Sequence, residues 1–429
     1  PGCSVVRLLV YFNNLRFIKM KNIFIIVLLQ VRSIYASDDS ICTIIRDSDE
    51  NNARRLETLE QILAEDHETI DETLPSSIRE IKKRGGHRCW HKHSTFLEHL
   101  VGVHNILRLW GEDNITGRVG LLHSAYSNSY VNLALFDPNQ ESERNIMRDM
   151  IGAEAEELVH LFCIVDRQSV VVNTLLAQGY IPKDGLYVPH LRDERQNVYL
   201  SPKTLRMLVI FTMADVADQY FGWQDELFGG LEKSNSMLLP GADDLNQHNS
   251  QALWPGSSRP GLWMSYVSEL GQVARTFEEN GTGSEVDDNK FLPPVFNYCT
   301  YQLSRQDEAK AIDLYWSVVM GSDNDYDTIS SEYAIEKLEE ATMLNPWFFE
   351  CHVMLSQKYL HLNDNKKALQ AAQRALDLQA MWATSYDKRM SFPAWVAWTR
   401  VLHQRATNQE GWPRNSWEVN NFGMVIPNE

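Results

Sequence analysis

Hydrophobic positions recur at helical spacing along most of the chain. In "NNARRLETLEQILAEDHETIDETL" (residues 51–74), Leu56, Leu59, Ile62 and Leu63 predict a leading amphipathic helix with an acidic outer face. The same periodicity returns in "ERNIMRDMIG", "AEAEELVHLFCIV" and "SPKTLRMLVIFTMADVADQYFGW", the last opening with Ser201 as N-cap and Pro202 at the first helical position. Strand signals are few: "YIPKDGLYVPHLRDERQNVYLS" alternates loosely and reads as a hairpin in which Lys183-Asp184-Gly185 can turn. The pattern predicts an all-α fold.

The C-terminal third repeats itself. "AIEKLEEATMLNP" (334–346) and "ALQAAQRALDLQA" (368–380) align at a 34-residue offset, with Ala334 over Ala368 and Ala341 over Ala375. Leu355, Ser356 and Tyr359 hold the small and aromatic positions of a preceding helix, and Pro346 ends one helix before the next. Small residues at these positions let paired helices approach closely. This stretch, about 300–405, resembles tetratricopeptide repeats, which share the 34-residue period and whose presence implies a protein partner. Residues 230–295 are rich in Gly, Pro, Ser and Asn around "LWPGSSRPGLWMS"; its tryptophans would be costly to leave in water, so the segment reads as an ordered connector. The expected division is upstream sequence and signal peptide (1–36), an acidic leading helical segment (37–90), a helical domain (91–230), connector (231–297), repeats (298–405) and tail (406–429).

Charge excludes one class of partner. The net charge is −17, and the first 36 residues contribute five basic residues and no acid, leaving 35 basic and 57 acidic residues in the rest. Such a surface repels phosphate backbones and excludes nucleic-acid binding. From Met20, "MKNIFIIVLLQVRSIYASDDS" has Lys21, an apolar core from Ile23 to Leu29 and small Ala36 before Ser37, which is signal-peptide grammar and too short to span a membrane. It predicts entry into the secretory pathway or an extracellular location, with no stable membrane span after signal removal; the sequons at Asn114 and Asn280 agree. Five cysteines after Met20, with no CxxC spacing, make neither a disulfide scaffold nor a zinc knuckle.

Six of the 13 histidines fall within residues 85–128. Thr95 and Glu98 form a capping-box signal, so a helix begins at Thr95 and runs to Gly111 with His99, Val103, Ile106 and Trp110 on one face. A second helix, starting after "EDNIT", carries His123 at its far end; rising about twelve residues and descending about eight, at about 1.5 Å per residue, returns the chain to the level of His99. Asp215, at the end of an apolar run, is the candidate third ligand, because a buried carboxylate demands a partner. His87, His91 and His93 read as a solvated loop, and His104 as a surface or second-face residue. His160 and His190 are further candidate ligands. Tyr126, Asn128, Tyr130, Ser124 and Arg167 are candidate pocket residues, the last able to pair with a substrate anion.

The segments "HLVGVHNILRLWGEDNITGRVGLLHS", "MIGAEAEELVHLF" and "MADVADQ", within about 95–220, resemble the HD-domain superfamily of metal-dependent phosphohydrolases, in particular the RelA/SpoT-type alarmone hydrolases. The resemblance implies one divalent metal ion (Mn, Zn or Fe) on His99, His123 and Asp215, and hydrolysis of a small phosphorylated or otherwise anionic substrate. Ser124 stands where the family's doublet has Asp, and Ser127 and Asn128 where alarmone hydrolases have a Glu-Asp pair; neither a hydroxyl nor an amide ionises near neutral pH. Two other functions stay open: a non-catalytic scaffold binding a protein through its repeats, and an iron-dependent oxygenase drawing on extra histidines.

Overall fold

The computed structural model describes residues 49–91, 94–127, 134–193, 195–219, 262–279, 301–319 and 331–420. Nearly all the regular structure is helical. The leading segment is three helices instead of one: α1 (Asp49–Leu63), α2 (His67–Ile70) and α3 (Leu74–Lys83). The chain breaks after α1 at Glu65, which sits at φ +53°, and Asp66 caps α2 through the Thr69 amide. Buried Asp71, between α2 and α3, receives two hydrogen bonds from the Arg118 guanidinium at 2.8 and 2.9 Å, tying these helices to the bundle. A short antiparallel ribbon, β1 (Trp90–His91) with β2 (Ser94–Thr95), leads into α4 (Phe96–Leu109).

The bundle continues with α5 (Asn114–Leu122), α6 (Glu141–Ile151), α7 (Ala153–Ile164), a π-helical segment (Ser169–Leu176) and, after a hairpin, α8 (Pro202–Gln219). α5 starts within "EDNIT", because Asp113 caps it by accepting from the Thr116 amide at 2.8 Å. The hairpin pairs β3 (Leu186–Pro189) with β4 (Asn197–Leu200), Tyr187 opposite Tyr199. The His190 amide donates to the Gln196 carbonyl beyond the paired residues, whereas Lys183-Asp184-Gly185 forms a separate turn ahead of β3. Ser201 caps α8 as the sequence predicts, accepting from the Thr204 amide at 3.1 Å.

The expected connector contains a helix, α9 (Met264–Glu279), packed on α8, with Trp263 buried at its start. Glu308 reaches its N-terminus and accepts from the Met264 and Ser265 amides, each at 2.8 Å. That carboxylate belongs to α10 (Arg305–Val319), first of the C-terminal series α10, α11 (Ser331–Leu344), α12 (Phe349–His361), α13 (Asn365–Trp382), α14 (Phe392–Thr407) and α15 (Ser416–Asn420). Helices α10 to α14 each pack on the next, and α11 and α13 open one 34-residue period apart. Ala334, Ala341, Ala368 and Ala375 are all fully buried where helices meet, and Ser356 donates to the Ala368 carbonyl at 2.9 Å. The series also packs on the bundle: the Trp110 indole at the end of α4 donates to the Met381 carbonyl at 2.9 Å.

Among the described residues no single helix is long and apolar enough to cross a membrane. The signal-like segment from Met20, Cys42 and the sequon at Asn280 lie outside the described residues. Cys89, Cys163 and Cys351 are free thiols.

Candidate metal centre

Three helices bring the site together. Thr95 accepts from the Glu98 amide at 3.2 Å while Glu98 accepts from the Thr95 amide at 2.9 Å, so the predicted capping box fixes the start of α4 and sets His99 one turn inside it. α5 descends close against α4 because Gly120 has no side chain: a Cβ there would lie 2.5 Å from Leu107 Cδ1. His123 is the C-cap of α5. α8 is buried from Leu205 to Asp218 and delivers Asp215 from the third side.

The Nε2 atoms of His99 and His123 lie 3.4 and 3.7 Å from the same Asp215 oxygen, Oδ1, and one donor atom from each residue lies within 4.8 Å of the other two. All three residues are buried, at 2, 4 and 2% exposure. Each imidazole is engaged behind: His99 Nδ1 with Asp218 Oδ2 at 2.7 Å, and His123 Nδ1 with the Gly120 carbonyl at 2.8 Å. A proton on His123 Nδ1 leaves its Nε2 lone pair facing Asp215, whereas His99, protonated on both ring nitrogens near neutral pH, offers its Nε2 lone pair only when an ion displaces that proton; in both rings the outer partner fixes the orientation. Beyond its 3.4 Å approach to Asp215 Oδ1, the buried His99 Nε2 has no hydrogen-bond partner among the described residues. Asp215 Oδ2 accepts from Arg167 Nη2 at 2.7 Å, and the Gln219 amide nitrogen contacts Oδ1. The Arg167 guanidinium lies 4.7 Å over the Phe211 ring, and its buried Nη1 has no hydrogen-bond partner among the described residues.

The charges follow from this packing. Burial opposes protonation of His99, but the Asp215 and Asp218 carboxylates outweigh it and hold the pKa at about 9. Burial dominates at His123 and pushes it down to about 4, so that ring is neutral. Asp215 stays ionised well below the usual carboxylate range: burial disfavours its charge, and Arg167 with the two histidines more than offsets that. An ionised carboxylate and a neutral imidazole are ligand-ready forms.

Other candidates lie elsewhere. His160 packs edge-on against Tyr126 at 6.2 Å, and His190 Nδ1 accepts from the Arg192 and Asp193 amides at 3.1 and 3.0 Å, which holds the hairpin turn; neither joins the three ligands. Tyr126 donates to Glu156 at 2.8 Å, and Glu156 is also held by Arg144 and Arg148, so this hydroxyl secures a buried ion cluster. Tyr126 and Ser127 also border a surface cavity of about 520 Å³ with Phe136, Glu143 and Arg192. Ser124 is buried beside His123. Asn128, Tyr130 and His93 lie outside the described residues.

One histidine expectation is corrected. His91 is not in a solvated loop: the β1–β2 ribbon turns it onto His99, ring centroids 4.5 Å apart. His104, expected at the surface or on a second face, lies on the second face, fully buried between α4 and α5 near Gly117, and burial pushes its pKa to about 4. Sequence reasoning also missed Gly102, Asp218 and Gln219. A Cβ on Gly102 would lie 2.1 Å from Asp218 Oδ1, so the glycine one turn after His99 makes room for the carboxylate that orients it. The readable signal was the Asp215, Asp218, Gln219 spacing, which sets all three on one face of α8.

Residues 80–167 match a family model described as Domain of unknown function (DUF6817). The match spans His99, His123 and Arg167 and stops short of Asp215. No curated protein and no solved structure matches the chain.

Proposed function

We propose that the described bundle is an HD-like metal-dependent hydrolase acting on a small phosphorylated or otherwise anionic substrate, with a divalent ion held by His99, His123 and Asp215. The observation that carries this reading is the convergence of two oriented Nε2 atoms on one carboxylate oxygen. With ligand bonds of about 2.0–2.2 Å, two donors at tetrahedral corners stand about 3.4 Å apart, against the 3.4 and 3.7 Å found here. His99 Nε2, which faces Asp215 Oδ1 at 3.4 Å without a well-formed hydrogen bond among the described residues, fits the same picture: an ion would take the place of its proton. A bound divalent ion supplies a water molecule acidic enough to ionise near neutral pH. Arg167 orients Asp215 through Nη2 and offers the unpartnered Nη1 to a substrate oxyanion. His160 and His190, which suggested an oxygenase, stand apart from the ligands, so the hydrolytic reading is preferred.

One observation favours the non-catalytic alternative. His99, shared between two carboxylates, and Arg167 on Asp215 can balance the local charge without an ion. Elemental analysis of protein expressed from Ser37 onward, purified without a tag or chelator, separates the two. Near-stoichiometric manganese, zinc or iron that is absent from His123→Ala, with the helical circular dichroism retained, supports the metal centre. No metal after reconstitution leaves the scaffold, whose tetratricopeptide-like helices α10 to α14 would then carry the function by binding a protein. The expected location is the secretory pathway, on the strength of the segment from Met20.

A further inference from the structure

Ser124 leaves the proposed centre one oxygen ligand short of the HD pattern, and on a five- or six-coordinate ion a fourth protein ligand still leaves room for water and substrate. A polar group already at the site is the Gln219 carboxamide, one helical turn beyond Asp215 on α8, whose nitrogen contacts Asp215 Oδ1, the atom on which both histidines converge. A primary amide has an oxygen and a nitrogen of nearly identical shape, and a half-turn about its terminal bond exchanges them. Without an ion the nitrogen faces the carboxylate because it can donate; a cation at the same point repels the N–H dipoles and attracts the oxygen.

We propose that Gln219 is the fourth protein ligand of this centre, its amide turning to present Oε1 to the ion. The inference rests on the metal reading above. It makes the ligand set two imidazoles, one carboxylate and one neutral amide oxygen, with the fourth ligand on the helix that supplies Asp215 and not on the one that carries His123. Hard, oxygen-tolerant ions such as manganese(II) gain more from an amide oxygen than soft ones do.

The test titrates the full chain with cobalt(II) and with manganese(II) against a chromophoric chelator, recording the cobalt visible spectrum. Wild type is compared with Gln219→Leu, Gln219→Glu and His99→Ala. A ligand role predicts that Gln219→Leu weakens both ions about tenfold or more and alters the cobalt spectrum, while Gln219→Glu, with an anionic oxygen in the same place, binds tighter than wild type. A hydrogen-bond donor that merely steadies Asp215 predicts the opposite sign for Gln219→Glu, since it sets one carboxylate against another. Gln219→Glu no tighter than wild type, or Gln219→Leu with unchanged affinity and spectrum, overturns the assignment. If wild type takes up no ion, or His99→Ala binds as wild type does, the metal reading itself falls and this inference with it.

Discussion

Gly102→Ala separates the orientation of His99 from the general stability of the bundle. The added methyl group would stand 2.1 Å from Asp218 Oδ1 and 2.8 Å from its Cγ, so the carboxyl group must leave its place on His99 Nδ1. Losing a buried, charge-assisted hydrogen bond costs about 1.5–3 kcal/mol, while replacing glycine in a helix interior returns about 1 kcal/mol, giving a net loss of about 0.5–2 kcal/mol. Freed of Asp218, the imidazole loses its fixed tautomer and orientation, and metal affinity falls about 10- to 100-fold. Urea unfolding followed by circular dichroism gives the first quantity, and competition with a chromophoric chelator the second. Gly117→Ala is the matched control: its Cβ meets the flexible Arg108 side chain at 2.8 Å, and metal affinity should not move. A Gly102→Ala protein about 1 kcal/mol more stable than wild type, with unchanged metal affinity, would refute the placement of Asp218 between Gly102 and His99.

Two further predictions concern the C-terminal series. Glu350 is fully buried, accepts from the Tyr386 and Asp387 amides at 2.7 and 3.0 Å, and faces Asp387 and Lys388; burial raises its pKa to about 8 from an ordinary value of 4.5. A raised folded-state pKa stabilises the protein fully below the unfolded value, and that stability is lost as pH climbs through about 8, with a slope of at most about 1.4 kcal/mol per pH unit. Glu350→Gln should flatten the fall in urea midpoint between pH 5 and 9; parallel curves for the two proteins would count against a titrating Glu350. Glu308→Ala leaves two buried amides at the start of α9 without an acceptor and should cost about 2–5 kcal/mol, measured by urea unfolding; a loss below about 0.5 kcal/mol would show that α9 does not depend on this carboxylate.

The elements legible in the sequence were those with a chemical start signal. Thr95 with Glu98 announced α4, and Ser201-Pro202 announced α8, since caps satisfy amides that a helix cannot satisfy internally. With both helices in place, spacing brings His99 to the level of His123, while Asp215 stands out as a carboxylate ending an apolar run and the set of three is what the HD resemblance implies. The break after α1 was not legible, because it depends on Glu65 taking a positive φ that its residue type does not advertise. α9 was hidden inside a Gly- and Pro-rich stretch, and its N-terminal cap comes from Glu308, 44 residues away from Met264. His104 stays undecided between surface and second face for a related reason: only α5, made slim by Gly117 and Gly120, settles the choice by packing over it. His91 was misjudged because a two-residue strand carries no period to read.

What the sequence presented as loss, Ser124 in place of an acid, looks different once Arg167 is set beside it. In a site with two carboxylate ligands the protein nearly neutralises a divalent ion. Here one carboxylate remains, and a guanidinium already occupies its second oxygen. With neutral imidazoles the groups around the proposed ion, Asp215, Asp218 and Arg167, sum to −1, so an ion of +2 leaves a surplus positive charge in a buried place. Low surrounding polarity magnifies that surplus, and an anionic ligand relieves it. Arg167, whose side chain is 22% exposed while its buried Nη1 has no hydrogen-bond partner among the described residues, is placed to receive the same ligand. Removing the acid therefore lowers the expected affinity for the ion and raises the expected affinity of the loaded centre for an oxyanion, a trade that favours a small anionic substrate over a neutral one.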